Sequence, residues 1–394
     1  MDRILVVEGH ITDYESVITL SRSRRLSNDD WIMDYIFYAN VFVEREDGTL
    51  FPAESPITVW PPIPRFVVSN GKLDANSRYR LRIEMGNTQY FSEFSYPIIT
   101  PEIDSIFWTT RETIDQWGFP YRTIRIHVAT HSPDREVMFY RWSFREDWEV
   151  HSLIRLDGFP YRCWGFENSR EMQFGSAERT IDGKVIHPIR EISRIDRILS
   201  VLYRIEVTQN AISRRAHYYF ENLQRNVELT GSIFSPTPST IRGNIYNATD
   251  PNRHVIGFID VSTTTRNRLY IPRSDGAYQG TPRRCVQQIG RIADKAWRLH
   301  DLVILERFDG GTCPYDCRDC VPCSRCFLCG SCGGCRSCWE CEAIRWEECA
   351  YCGLCDICHY VCACKIRYYD LVCVDCTHPH FGRTTTEKPY DWPI

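Results

Sequence analysis

Apolar and polar residues alternate with a period of two over much of the first hundred positions. The pattern predicts strands over Ile4 to Ile11, Ser16 to Ser21, Tyr38 to Arg45, Tyr79 to Glu84 and Gln89 to Ser92. Asp47-Gly48, set between Phe42-Val43 and Leu50-Phe51, is a hairpin turn signal, and Asn70-Gly71 and Gly86-Asn87 punctuate the rest. Short strands at this density predict an immunoglobulin-like sandwich over residues 1–98, with Pro97 to Pro101 as its boundary.

A second β-rich domain is expected over residues 99–300, from strand patterns at Ile103 to Thr109, Tyr121 to Ala129, Val137 to Trp148, Leu199 to Val207, Val255 to Val261 and Arg268 to Ile271. One segment reads as an amphipathic helix near 213–229. Ser213 is placed to cap it, and Ala216, Tyr219, Phe220, Leu223 and Val227 share one face before a stop near Gly231. Residues 288–300 also read as a short helix. The expected architecture is therefore mainly β: a sandwich, a β-rich domain with one helix, and an irregular Cys-rich C-terminal module with its closing tail over 301–394.

Composition changes this picture only at the end of the chain. With 43% apolar residues, 25% charged residues and a net charge of -4 over 394 residues, the sequence describes a folded body with no basic stripe for nucleic acid. No stretch reaches the roughly 18 consecutive apolar residues of a membrane helix. Of the 47 basic residues only five are Lys, so 42 are Arg, spread over the whole chain. The start, Met1-Asp2-Arg3, runs directly into Ile4-Leu5-Val6-Val7 without the regions of a signal peptide. That leaves two expectations: a cytosolic protein, or a chain that begins inside its first strand. Neither GxGxxG, GxxxxGK[ST], GxSxG nor HExxH occurs, and the carboxylates form no motif, so no catalytic residue and no enzyme activity are expected.

Cysteine breaks the pattern. Of 20 Cys only Cys163 and Cys285 precede position 313, and the other eighteen lie within 313–376. From Cys317 they recur every third residue through Cys320, Cys323, Cys326, Cys329, Cys332, Cys335, Cys338 and Cys341. Cys349, Cys352, Cys355 and Cys358 repeat the step, followed by Cys362, Cys364, Cys373 and Cys376. So sulfur-rich and aliphatic-poor a segment cannot build its own core, and its shape must come from bonds to sulfur.

Ordered landmarks elsewhere resemble a known family. They are "ILVVEGHITD…VITLSRS" at the start, "PEIDSI" from Pro101, "CWGF" from Cys163, "LYRIEVTQNAISRRAHYYFENL" with Gln209 before the helix, "GSIFSPTPSTIRGNIYN" and "VIGFIDVSTTTRNRLYI". "CPYDCRDC" from Cys313 and the closing "DCT…GRTTTEKPYDWP" complete the series. Together they resemble the Gram-negative outer-membrane lipoproteins grouped as domain-of-unknown-function family four-two-four-nine. The resemblance implies a lipid-anchored accessory protein at the outer membrane and cell surface, working beside a TonB-dependent receptor. It carries over no catalytic residues. Gly165 and Gly243 are expected at turns with unusual backbone angles, and Trp164, Phe166 and Phe234 in the core. The departure from the family is the stretch of about 55 residues inserted between Cys320 and Asp375.

Four chemistries fit those thiols. Disulfides would staple the module in an oxidising compartment. Thiolates in twelve CxxC pairs could bind zinc in Cys₄ sites, or clustered copper. Cys352, Cys355, Cys358 and Cys362 match the spacing of a bacterial iron–sulfur (Fe-S) ligand set, with Ala363 where Pro is usual. Cys355-x2-Cys358-His359 matches covalent attachment of haem c. The functional expectation is an accessory surface lipoprotein that binds a ligand or the transporter. Two alternatives are an electron-transfer protein with its cofactor in the tail, and a disulfide-rich structural envelope or adhesin protein.

Overall fold

A computed structural model describes residues 3–23, 34–54, 56–59, 63–169, 172–180, 182–229, 242–280, 285, 288–291, 302–308, 365–378, 381 and 383–393. The fold is mainly β, with one long helix, Arg214–Leu229. Two compact units interleave along the chain. The first comprises Met1–Glu146, Glu167–Ser193 and Arg204–Tyr270; the second comprises Asp147–Phe166, Arg194–Tyr203 and Ile271–Ile394.

The first unit opens with a two-sheet sandwich. Leu5–Thr12 pairs antiparallel with Tyr14–Arg22, which pairs with Ile63–Gly71, and Ile57–Val59 forms the edge. The opposing sheet runs Ile245–Asn247, Thr88–Ser92, Tyr79–Met85, Asn40–Arg45, Leu50–Pro52. Inward residues at every second position fill the space between them: Val7, Ile18 and Leu20 from one sheet, Val41, Val43, Leu81 and Ile83 from the other. The expected turns are present. Gly48 (φ +91°) closes the hairpin after Arg45, and Gly86 (φ +58°) closes the one after Met85.

The sandwich is completed from far along the chain. Val255–Ile256 and Val261–Ser262 both add parallel to Leu5–Thr12. The run expected as one strand over Val255 to Val261 is split at Gly257 (φ +153°), where a Cβ would lie 2.5 Å from the Val7 carbonyl oxygen. Gly243 stands opposite, where a Cβ would meet the Gly257 carbonyl oxygen at 1.6 Å. Gly243 therefore serves close backbone approach, not the unusual turn angle expected of it.

Also in this unit, Ile103–Ile114, Pro120–His131 and Lys184–Ser193 form a three-stranded antiparallel sheet. The helix begins where expected: the Ala216 N–H donates to the Ser213 hydroxyl at 3.1 Å. Ala216 and Tyr219 bury against Phe139, Ile212 and Phe258, with Phe220 packed alongside. Leu223, one turn further on, is 37% exposed, against the buried position its periodicity suggests.

In the second unit Gln288–Arg291, Lys365–Asp370 and Leu302–Phe308 form an antiparallel sheet with Lys365–Asp370 in the centre, followed by the short helix Leu371–Val374. Residues 288–291 are thus a strand, against the expected helix. Their apolar spacing is ambiguous over so short a run, and pairing with a segment some eighty positions away decides it. Gly165 is likewise no turn residue. It lies inside the strand Arg162–Asn168, where a Cβ would come within 2.5 Å of the Trp148 indole. Trp164 is buried as expected, but Phe166 is 55% exposed. Phe234 lies outside the described residues.

Candidate functional site

Among the described residues, the tip of the hairpin joining Ile103–Ile114 to Pro120–His131 gathers several exposed large apolar side chains within one short turn. The third strand of that sheet stops at the Thr123–Ser193 pair, so Glu112–Arg122, Thr113–Tyr121 and Ile114–Pro120 continue as a two-stranded ribbon. Three pairs at strand rise carry the turn about 10 Å beyond its support.

Asp115 organises that turn. Its carboxylate Oδ1 accepts from the backbone N–H of Trp117 at 2.9 Å and of Phe119 at 2.8 Å. Its own N–H donates to the Phe119 carbonyl, its carbonyl accepts from the Gly118 N–H, and Gly118 sits at φ +87°. The result is a tightly bonded loop that holds large apolar groups in water. Ile114 is 68% exposed, Trp117 73% and Phe119 67%, with Tyr121 beside them. Arg122 pairs with Glu112 at 2.8 Å, and both are exposed. A cluster of rigid aromatics on a protruding, internally satisfied turn has the makings of a recognition hot spot. The signal was in the sequence: "IDQWGFPY" puts four large apolar residues where a hairpin turn should be polar.

The predicted sulfur ligands divide into two groups. Cys317, Cys320, Cys323, Cys326, Cys329, Cys332, Cys335, Cys338, Cys341, Cys349, Cys352, Cys355, Cys358, Cys362 and Cys364 lie outside the described residues. Cys373 and Cys376 are described, and both are in disulfides: Cys373 with Cys285, Cys376 with Cys163. Thus the last CxxC pair sends its two sulfurs to different partners. Those partners are the two cysteines that precede the cluster, so the early part of the chain is not free of thiol chemistry as its sparse cysteines suggest. Removing these four from 20 leaves sixteen, all between 313 and 364. The chain leaves for that stretch at Phe308 and returns at Lys365, and these two residues are cross-strand partners. Among the described residues no group of three or more His, Cys, Asp or Glu is arranged to hold a metal.

Around the Cys163–Cys376 bond the closing segment is anchored a second way. Thr384 and Thr385 pair with Gly165 and Trp164, and the Trp392 indole N–H donates to Glu149 at 2.9 Å. Glu149 is buried and also receives Arg162 through two hydrogen bonds and His151 at 2.7 Å. Burial pushes its carboxyl up, but the hydrogen bonds from Arg162, Trp392 and His151 outweigh that and hold it below the usual range.

The first unit has its own buried charges. The Asp260 carboxylate accepts from the Ser213 N–H at 2.7 Å, at the start of the helix. Burial pushes its carboxyl up to about 6 against that hydrogen bond and the charges of Arg141 and Arg215. Burial draws the Arg141 guanidinium down to about 10. His10, bonded through Nε2 to the Ser262 hydroxyl at 2.7 Å, is held neutral by burial, well below the ordinary imidazole range. These groups brace strands and helix.

The family model described as Domain of unknown function (DUF4249) matches residues 1–268. The chain belongs to that family. The matched stretch takes in nearly all of the first unit, and also the segments Asp147–Phe166 and Arg194–Tyr203 of the second. The Cys285–Cys373 bond, Cys376 and the stretch between Phe308 and Lys365 lie beyond the match, while Cys163 lies within it. No curated protein matches this family member. A solved chain from a cytokine receptor complex is similar at 9% identity, covering 54% of this chain and 86% of that one, with a TM-score of 0.17, too low to carry an argument.

Proposed function

We propose that this DUF4249 protein is an accessory surface lipoprotein of a TonB-dependent outer-membrane uptake system. It docks on the transporter through the tip of the 103–131 hairpin. The observation that carries the reading is the Asp115-organised turn that presents Trp117 and Phe119 to solvent: convex, rigid and aromatic, it suits a binding partner far better than it suits chemistry. The resemblance of its sequence landmarks to outer-membrane lipoproteins found beside TonB-dependent receptors supports that setting. The two disulfides support an oxidising compartment, where such bonds persist. In that compartment the sixteen cysteines between 313 and 364 act as a disulfide-stapled recognition module or as a soft-metal capture site, with zinc or copper as the metal.

The test is affinity capture of tagged native protein from its own membranes. A TonB-dependent receptor should co-purify with wild type, and its recovery should fall at least tenfold with Trp117→Ala/Phe119→Ala. Absence of any such receptor in the wild-type eluate would count against the whole reading. Equal recovery with the double variant would remove the hairpin tip from it. Thiol titration with elemental analysis of the same sample separates the two states of the insertion: no free thiols and no metal for disulfides, many thiols with stoichiometric zinc or copper for capture.

A further inference from the structure

At one end of the sandwich a cavity of about 120 Å³ is lined by Arg3, Leu5, Arg22, Met85, Thr88, Tyr90, Arg253 and His254. The fold brings these together from four places. Arg22 is the cross-strand partner of Leu5, and Val255, next to His254, pairs with Leu5 from the other side. Met85 and Thr88 close the hairpin at Gly86, and Tyr90 follows on the same strand. Leu5 and Tyr90 are buried and form an apolar floor. Arg253 and His254 are delivered by a turn whose backbone is fixed by side chains: Asn247 Oδ1 accepts from the N–H groups of Thr249 and Asp250, and Asp250 Oδ1 accepts from the Asn252 N–H.

The charge is one-sided. Three arginines and a histidine stand among eight lining residues, where a chain with 42 Arg in 394 would place about one arginine by chance, and none of the eight is acidic. Arg3 pairs with Asp34 at 2.6 Å. Arg22, Arg253 and His254 have no carboxylate partner among the described residues. Asp34, the cross-strand neighbour of Arg22, compensates Arg3, which leaves Arg22 and Arg253 as guanidinium groups whose forked N–H groups match planar or tetrahedral oxyanions.

From this we infer that the cavity binds a small, doubly charged oxyanion, a phosphate or a dicarboxylate, held by Arg22 and Arg253 with His254 at the rim. The site is independent of the hairpin tip and of any transporter, so its test stands or falls apart from the docking proposal.

Equilibrium dialysis and thermal unfolding of the purified full-length protein are measured in phosphate, succinate and chloride at matched ionic strength. Wild type and the control Arg45→Gln, at the far end of its strand, should bind about one phosphate or one succinate per chain and melt higher than in chloride, and the better of the two anions names the ligand class. Arg22→Gln/Arg253→Gln should bind at least tenfold more weakly and lose the shift. Should that pair fail to fold, Arg253→Lys decides, because it keeps the charge but loses the fork and should weaken binding severalfold. Wild type with no preference for either anion over chloride overturns the inference. So does unchanged binding in the folded double variant, or in Arg253→Lys where that variant decides.

Discussion

Asp260 shows most clearly how a single side chain sets a pH response in this molecule. Its carboxyl titrates at about 6 in the folded chain, against an ordinary value of 3.8, so the folded state holds the proton more tightly than the unfolded state. A group raised in this way contributes stability that is fully present below about 3.8 and is lost as pH rises through about 6. The full swing corresponds to about 3 kcal/mol. His10 works in the opposite sense. Its folded value is depressed, so its contribution is present above the ordinary 6.5 and lost as pH falls. The two slopes partly cancel near pH 5 to 6 in the wild type. In Asp260→Asn, which keeps an acceptor for the Ser213 N–H, the opposing slope is gone and the His10 acid sensitivity is exposed. Denaturant midpoints at half-unit intervals from pH 4 to 7 should show the variant losing stability on acidification more steeply than wild type. Parallel curves would refute the assignment. Glu149 makes a second residue-level case. Glu149→Gln leaves Arg162 without its carboxylate partner and should cost about 1–3 kcal/mol at pH 7, a penalty that shrinks as acidification below the ordinary carboxyl range protonates the wild-type group.

Individual strands were largely legible because their period-two pattern is local. Tyr79 to Glu84 and Gln89 to Ser92 are found as Tyr79–Met85 and Thr88–Ser92, with the hairpin glycine between them as expected. Partners were not legible where they come from far away. Nothing near Val255 says that it will lie beside Leu5, and nothing near Gln288 says that it will pair with Tyr368. The glycines misled for a related reason: Gly165 is small because the Trp148 ring lies across it, a contact between segments that no local turn propensity encodes. Gly165→Ala should therefore cost several kcal/mol, measurable as a drop in thermal midpoint, since the indole is itself buried and cannot simply move aside. The hairpin tip should behave in the opposite way. Trp117→Ala and Phe119→Ala remove exposed groups and should shift stability by no more than about 0.5 kcal/mol. A larger loss would mean that the tip packs against something in the isolated protein.

For the molecule as a whole, the cysteine count announced sulfur chemistry but could not assign partners, because connectivity among so many thiols is not written in their spacing. The structure gives two bonds, spanning 213 and 88 positions of chain. Cys163→Ser/Cys376→Ser should destabilise the closing segment by about 2–4 kcal/mol and make Trp392 the first of the buried tryptophans to open to solvent on mild heating. Replacing residues 309–364 by a short Gly-containing turn should leave a protein with four cysteines, no free thiols and a thermal midpoint within a few degrees of wild type, because Phe308 and Lys365 are already neighbours across the sheet. Collapse of the fold on excision would show that the body depends on the segment it carries.

That adjacency has an evolutionary reading. A loop whose two ends are fixed side by side costs only about 0.6 kcal/mol more for each doubling of its length. The strand pair ending at Phe308 and Lys365 thus acts as a socket: sequences of very different size and chemistry can be exchanged there while the rest of the protein stays unchanged.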